Sequence, residues 1–126
     1  MKKKPEHVIV ELFKTISSRK NADPEKSYTA KLYQKGTKKI CQKIGEEASE
    51  VIIAALTESR KELIAESADL MYHLMVLWAD KGVTVDEVAQ ELFSRQGMSG
   101  LEEKKKRPKA VIKKPVKKTA SKKKGK

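Results

Sequence analysis

Hydrophobic residues recur at helical spacing along most of the chain, and this pattern predicts four amphipathic helices. The second and third are predicted over about 37–57 and 59–81, and the fourth opens with a capping box from Thr84 to Glu87. In the first helix the apolar positions follow an i, i+1, i+4, i+5, i+8 order, at Val8, Ile9, Leu12, Phe13 and Ile16.

A shorter helix completes the predicted fold. Ser27 is placed to cap a helix that ends near Gly36. No segment shows the alternation or the β-branched runs that are typical of a strand. The sequence therefore predicts an all-α fold, a bundle of four to five helices in one domain over residues 1–98. Cys41 is expected to be a small buried residue. The other residues expected in the core are Ile40, Ile44, Ala48, Val51, Ile52, Ala55, Leu63, Leu70, Met71, Leu74, Leu77, Trp78 and the other Met residues.

Positive charge is concentrated at the end of the chain. Residues 102–126 hold 13 Lys or Arg and two Glu, which leaves a net charge of +1 on the first 101 residues out of +12 in total. From Ser99 onward no apolar period is present, so residues 99–126 are expected to form a disordered Lys-rich tail. The basic tail makes weak, nonspecific contact with nucleic acid a possibility, but the basic pI does not indicate a nucleic-acid-binding fold.

Two other classes are disfavoured. The single cysteine, Cys41, excludes an intrachain disulfide and a Cys-rich zinc site. No apolar run approaches the ~20 residues of a membrane span, and Glu11 and Lys14 interrupt the N-terminal apolar stretch that a signal peptide needs. The chain is expected to be a cytoplasmic protein with no membrane contact.

Acidic residues recur at helical spacing on the second and third helices. At about 100° per residue, Glu47 and Glu50 lie beside the apolar face of the second helix, and Glu46 lies further toward solvent. On the third helix Glu66 and Asp69 lie on the equivalent strip. If the two helices form an antiparallel hairpin about residue 58, Glu50 faces Glu66 and Glu47 faces Asp69.

A metal site is one interpretation of this groove, and two solvated helix faces are the other. Surface helices commonly pair Glu with Lys at i+4, whereas here acids face acids, which requires a cation or disfavours ionisation. Oxygen ligands without cysteine suit Mg²⁺, or Mn²⁺ as a substitute. Such an ion assists attack on a phosphate.

Basic and polar residues lie near this groove. Lys43 shares the acidic strip and is opposite His73, which is expected to be partly buried and hydrogen-bonded. Ser27, Tyr28 and Thr29 open the short helix, where free N–H groups favour anions.

The motifs Glu46-Glu47-x-x-Glu50 and Glu66-x-x-Asp69 resemble the signature of the all-α nucleotide pyrophosphohydrolases of the MazG-like superfamily. The longer segments SYTAKLYQKGTKKICQKIGEEASEVIIAA and ELIAESADLMYHLMVLWADKGVTVDEVAQELFSR are similar to the phosphoribosyl-ATP pyrophosphohydrolase family of histidine biosynthesis. The resemblance covers about residues 6–97.

This resemblance implies Mg²⁺-dependent hydrolysis of 1-(5-phosphoribosyl)-ATP to 1-(5-phosphoribosyl)-AMP and pyrophosphate by a homodimer. By position it implies metal ligands at Glu47, Glu50, Glu66 and Asp69, with Glu46 as a ligand through water or a water-orienting base. It implies substrate contacts from Lys43, Lys31, Ser27, Tyr28 and Thr29. His73, from its position near the groove, is also predicted to contact substrate, and Glu46, Glu47 and Glu50 are the predicted catalytic residues. The alternatives are a MazG-like enzyme acting on (d)NTPs and a nucleic-acid-binding protein that acts through its tail.

Overall fold

The computed structural model describes residues 7–57, 59–97 and 100–106. Within these ranges the structure is helical and contains no strand, so the prediction of an all-α fold is confirmed. The α-helices in chain order are α1 (Val8–Ser18), α2 (Tyr28–Lys35), α3 (Thr37–Thr57), α4 (Arg60–Asp80), α5 (Val85–Arg95) and α6 (Gly100–Lys106), with a 3₁₀ turn at Arg19–Asn21.

The helices begin and end where local side-chain chemistry favours it. The Ser27 hydroxyl accepts the backbone N–H of Ala30 and caps α2, and the Ser59 hydroxyl caps α4 through the backbone N–H of Glu62. Thr84 and Glu87 exchange hydrogen bonds ahead of α5 as the capping box requires. These observations confirm the predicted starts of the three helices.

The two longest helices, α3 and α4, have 21 residues each and pack along one another as a hairpin. Helix α1 packs against α4, and α2 packs against both α3 and α4. The core lies where α1 and α2 cover the hairpin, around the start of α3 and the end of α4. Its fully buried members are Ile16, Leu32, Ile40, Met75, Val76 and Ala79, with Trp78 and Leu77 packed against them.

Several residues expected in the core are exposed instead. Cys41 is exposed, and Ile52 and Met71 retain 59% and 43% of their accessible surface. Ala55 is also exposed. Helices α1 and α2 pack around the start of α3 and the end of α4, and the apolar positions nearer the α3–α4 turn retain exposed surface. The prediction that these four residues are buried within this chain is therefore wrong.

The chain divides into two units, with the boundary between Gln90 and Glu91. In the second unit Gly100–Lys106 form α6, which differs from the disorder expected after Ser99. The segment GLEEKKK consists largely of residues with good helix propensity, and three lysines occupy its last turn, where positive charge favours the helix dipole. The rest of the predicted tail, 107–126, lies outside the described residues.

No described helix is both long enough and apolar enough to cross a membrane.

Candidate metal and phosphate site

The candidate site is a cluster of carboxylates between α3 and α4. Glu47, Glu66 and Asp69 each place one carboxylate oxygen so that the three atoms lie within 4.8 Å of one another. Glu47 comes from α3, and the other two, three residues apart, lie on one face of α4. The structure thus brings Glu47 close to two acids that lie 19 and 22 residues later in the sequence.

Two oxygens in this cluster are buried without a hydrogen-bond partner among the described residues, Oε1 of Glu47 and Oε1 of Glu66. Buried carboxylate oxygens normally accept hydrogen bonds or bind a cation, because desolvation of an unpaired oxygen is unfavourable. The nearest ammonium recorded is Lys43 Nζ, which lies 4.0 Å from the other oxygen of Glu47, Oε2. The donor set, its spacing and its two unpaired oxygens fit a divalent cation with oxygen ligands.

Glu50 completes the acidic groove at the level of Glu66. Burial of the Glu66 carboxyl raises its pKa to about 7, and a hydrogen bond with Glu50 and the negative charges of Glu50, Asp69 and Glu47 add to this. The hydrogen bond requires one shared proton between the two carboxyl groups. Without a cation, like charges in the groove therefore retain a proton near neutral pH.

Glu46 lies outside the three-carboxylate cluster. Its carboxylate accepts a hydrogen bond of 2.9 Å from Gln42 Nε2 and lies 3.7 Å from Lys43 Nζ. Its side chain is 49% exposed, whereas that of Glu47 is 12% exposed. The hydrogen bond from Gln42 is the main cause that lowers the pKa of Glu46. The pKa of the exposed Glu46 carboxyl is thus lowered, whereas that of Glu66 is raised.

The other end of the groove carries an aromatic network. The Tyr28 hydroxyl lies 3.0 Å from Nε2 of His73, and Nδ1 of His73 lies 2.9 Å from the carbonyl oxygen of Asp69. Burial raises the pKa of Tyr28; the positive charge of Lys43 opposes this, and Tyr72, Glu47 and Asp69 add to it. Tyr28 and Lys43 therefore lie near the carboxylate cluster.

The other residues predicted to contact substrate, Ser27, Thr29 and Lys31, lie at the start of α2. The Thr29 hydroxyl is buried and hydrogen-bonded to the Tyr72 hydroxyl, and the Ser27 hydroxyl is engaged in the cap of α2. Lys31 is exposed on α2. Lys43 lies beside the carboxylates of Glu46 and Glu47, whereas Tyr28 and His73 are linked by hydrogen bonds to the backbone carbonyl of Asp69. The hydrogen bonds of Thr29 and Ser27 are structural.

Two residues of this site were missed by the sequence reasoning, Gln42 and Tyr72. Gln42 is four residues before Glu46, a spacing that places both side chains on one helix face. Tyr72 is three residues after Asp69, so it shares the acidic face of α4. Both spacings are visible in the sequence, but neither residue type identifies a site by itself.

An all-α fold with paired acidic motifs on a helical hairpin is the arrangement of the MazG-like class of nucleotide pyrophosphohydrolases. Residues 9–96 match the sequence profile of a family described as phosphoribosyl-ATP pyrophosphohydrolase. The match covers more than half of the chain, and the chain therefore belongs to this family.

The chain is similar to phosphoribosyl-ATP pyrophosphatases of several bacteria over most of their length. The phosphoribosyl-ATP pyrophosphatase of Paramagnetospirillum magneticum is 56% identical over 102 residues, which cover 81% of this chain and 94% of the relative. That of Rhodospirillum rubrum is 59% identical, with 77% and 83% covered. That of Gluconobacter oxydans is 50% identical over 107 residues, with 85% and 80% covered.

Proposed function

We propose that this protein hydrolyses 1-(5-phosphoribosyl)-ATP to 1-(5-phosphoribosyl)-AMP and pyrophosphate, the second step of L-histidine biosynthesis. The observation that carries the proposal is the cluster of Glu47, Glu66 and Asp69 with its two unpaired buried oxygens, found in a chain of this family. A groove of carboxylates cannot bind a polyphosphate by itself, because both are negative. A cation between them makes the two compatible.

We propose Mg²⁺ as that cation, with Mn²⁺ as a possible substitute, because carboxylate oxygens suit these hard ions. Glu47, Glu66 and Asp69 would hold it, and Glu50 would join them once its shared proton is lost. When bound, the ion polarises a phosphoryl oxygen and lowers the pKa of bound water.

The chain's own residues then divide the remaining tasks. Glu46 is the ionised, exposed carboxylate beside the cluster, which suits it to orient water or accept its proton. Lys43 lies between Glu46 and Glu47 and can move its ammonium group from these carboxylates to an incoming phosphate. Tyr28 lies at the same end of the groove. We keep Lys31, Ser27 and Thr29 as candidate residues for the outer substrate contacts, with the N-terminus of α2 as their common location.

The direct test is a comparison of substrates with the full-length protein. Pyrophosphate release from phosphoribosyl-ATP and from each canonical dNTP is measured with Mg²⁺ and with EDTA. We expect kcat/KM to be highest for phosphoribosyl-ATP and activity to be lost in EDTA. A higher kcat/KM for a dNTP would instead favour the (d)NTP pyrophosphohydrolase alternative.

We also propose a homodimer whose second copy covers the exposed apolar residues of the hairpin. Ile52, Ile53 and Leu56 on α3 are 59%, 52% and 78% exposed, and Ile64 on α4 is 59% exposed. Ile52 and Ile64 lie at the same level by the pairing that joins Glu50 to Glu66. Isolated exposed apolar residues are common, but several on adjoining helices of one hairpin indicate an interaction surface. A two-fold dimer would place this surface against itself.

Light scattering on the purified protein tests the dimer. Wild-type protein should have twice the mass of one chain, and Leu56→Glu should shift it toward the monomer because it places a charge in the apolar surface. Val8→Glu is the matched control, since Val8 is 53% exposed on α1. A wild-type monomer at assay concentrations, or a Leu56→Glu variant that remains dimeric, would contradict the proposal.

We further propose that residues 1–98 act as an independent enzyme domain in the cytoplasm, where ATP derivatives are made and used. A truncation after residue 98 should retain the kcat/KM of the full chain.

The 13 Lys and Arg of 102–126 should give the full chain weak DNA binding that falls steeply with salt. Equal retardation of DNA by both proteins would contradict a role of the tail in nucleic-acid binding.

A further inference from the structure

The hydrogen bonds of His73 determine whether the Tyr28 hydroxyl acts as a donor or an acceptor toward the groove. We propose that His73 is a positioning residue, which accepts a hydrogen bond from the Tyr28 hydroxyl and so leaves the Tyr28 oxygen as a hydrogen-bond acceptor for an O–H group in the groove. This O–H group belongs either to a ribose of the substrate or to the attacking water. The part that concerns the substrate rests on the proposed function, whereas the hydrogen-bond assignment does not.

The direction of the two hydrogen bonds follows from their partners. The carbonyl oxygen of Asp69 can only accept, so Nδ1 of His73, which lies 2.9 Å from it, carries the proton. In a neutral imidazole the other nitrogen, Nε2, is then an acceptor without hydrogen. The Tyr28 hydroxyl, 3.0 Å from Nε2, must therefore donate to it. Its only hydrogen is used in this bond, and its lone pairs remain for another donor.

His73 has no ring nitrogen left for a substrate. It is 5% exposed, and both nitrogens are bonded to protein atoms. Among the predicted substrate residues it is thus better assigned to support Tyr28 than to contact substrate. Tyr28, by contrast, is 52% exposed as a residue, and its hydrogen bond to a buried partner fixes the direction of its hydroxyl.

Three rings hold this arrangement. Tyr28 stacks on Tyr72 at 26° with centroids 6.3 Å apart, and His73 presents its edge to both tyrosines at 85–89°. Such packing restricts rotation of the Tyr28 ring. The network is also connected to the carboxylate cluster through Asp69. The backbone carbonyl of Asp69 orients His73, and its carboxylate belongs to the cluster. Tyr28 is therefore directed toward the reacting region by two successive hydrogen bonds.

The activity test is a double-mutant cycle on the full-length protein. Tyr28→Phe removes the hydroxyl and keeps the ring. His73→Asn keeps a donor at the Nδ1 position and removes the acceptor, while His73→Gln places its amide oxygen near the Nε2 position. We expect Tyr28→Phe and His73→Asn each to lower kcat/KM by about three- to tenfold, the range for a lost hydrogen bond. His73→Gln should recover most of this loss.

The coupling between the two substitutions distinguishes a positioning role of His73 from a merely structural one. In the Tyr28→Phe background His73→Asn should change kcat/KM less than twofold, because the group it positions is gone. A rise in KM at constant kcat assigns the donor to a ribose hydroxyl, and a fall in kcat at constant KM assigns it to water. Independent, multiplicative losses in the double variant would overturn the proposal, as would unchanged kinetics in Tyr28→Phe.

Tyr33→Phe is the matched control. It lies on the same helix as Tyr28, and its hydroxyl donates to the Ile16 carbonyl at 2.9 Å rather than to His73. We expect it to lower Tm and leave kcat/KM unchanged. A loss of activity in this control equal to that of Tyr28→Phe would mean that the kinetics report folding, and would overturn the assignment.

A readout that needs no activity tests the hydrogen bonds themselves. The chain has two histidines, so long-range ¹H–¹⁵N spectra of full-length protein are readily assigned with a His7→Gln variant. His73 should show a protonated Nδ1 and an unprotonated Nε2, and Tyr28→Phe should shift the Nε2 resonance. A protonated Nε2 would overturn the assignment even if the enzyme hydrolyses phosphoribosyl-ATP. Conversely, the expected tautomer in an enzyme inactive on that compound would leave the assignment intact and refute the proposed function.

Discussion

Binding of Mg²⁺ to the carboxylate cluster should release a proton from Glu66. Burial and the neighbouring carboxylates raise the pKa of Glu66 to about 7, and its proton is shared with Glu50. A metal ligand must give up its proton, so metal affinity and pH are linked. The perturbation is therefore the addition of Mg²⁺ to metal-free protein at several pH values.

The expected number of protons follows from the pKa. With a pKa of about 7, Glu66 is about nine-tenths protonated at pH 6, about half at pH 7 and about one-tenth at pH 8. Proton release per bound ion should follow these fractions. The apparent affinity for Mg²⁺ should rise from pH 6 to 8 and then level off, because deprotonated Glu66 is the form that binds.

Isothermal titration calorimetry measures this release when each pH is titrated in two buffers that both buffer there and differ in ionisation enthalpy. Glu66→Gln should eliminate the released proton, though it will also weaken binding. Glu46→Gln is the control that retains the cluster: its carboxylate lies outside the three ligands, and the hydrogen bond from Gln42 lowers its pKa. This variant should release as many protons as wild-type. Binding of Mg²⁺ with no proton release at pH 6 would refute the assignment of a protonated Glu66.

Three further predictions follow from the site and the core. Glu47→Gln and Asp69→Asn should each abolish pyrophosphate release without loss of helical circular dichroism, and near-normal turnover in either would contradict the metal site. Because folding raises the pKa of Glu66 from 4.5 to about 7, its contribution to stability is full below about pH 4.5 and is lost as pH rises through about 7. Tm in EDTA should therefore fall from pH 5 to pH 8, and Glu66→Gln should flatten this slope; an unchanged slope in that variant would assign the dependence to other groups. Ile40→Ala, at a site with 0% exposure, should lower the free energy of unfolding in urea by about 2–5 kcal/mol, whereas Val8→Ala on the surface should cost less than about 0.5 kcal/mol.

The hairpin and its acidic register could be predicted because they depend on local rules. Helical spacing places Glu66 and Asp69 on one face, and a short connection makes neighbouring helices antiparallel. Distance from the turn then pairs Glu47 with Asp69 and Glu50 with Glu66. In the structure Glu47 lies within 4.8 Å of Asp69, as this pairing requires, and also within 4.8 Å of Glu66. Glu66 is hydrogen-bonded to Glu50.

Burial along α3 and α4 could not be predicted from periodicity, which shows which face is apolar but not what covers it. Ile40 and Ile52 are both on the apolar side of α3, yet they are 0% and 59% exposed. The difference arises because α1 and α2 lie at one end of the hairpin. Cys41 was misplaced for the same reason, since its burial depends on tertiary contacts.

The Tyr28–His73 hydrogen bond could not be predicted from the sequence because it joins residues 45 positions apart. The residue types were visible, and their proximity to the groove was expected from position. The direction of the hydrogen bonds could not be expected from position, because it depends on which nitrogen of His73 is hydrogen-bonded to the Asp69 carbonyl. Rotamer and packing decide that, and neither has a sequence signature.

The half of the hairpin that carries the acids, residues 47–71, contributes little to the buried core. Among the described residues from Glu47 to Met71, Ala54 alone is fully buried, whereas the opposite half contains most of the core. This half also holds like charges that retain a proton near neutral pH. It should therefore open more readily than the core, and Mg²⁺ and a second copy should each stabilise it. Because both would bind the same closed arrangement, binding of one should strengthen binding of the other. Metal affinity should accordingly rise with protein concentration, and Leu56→Glu should remove that dependence.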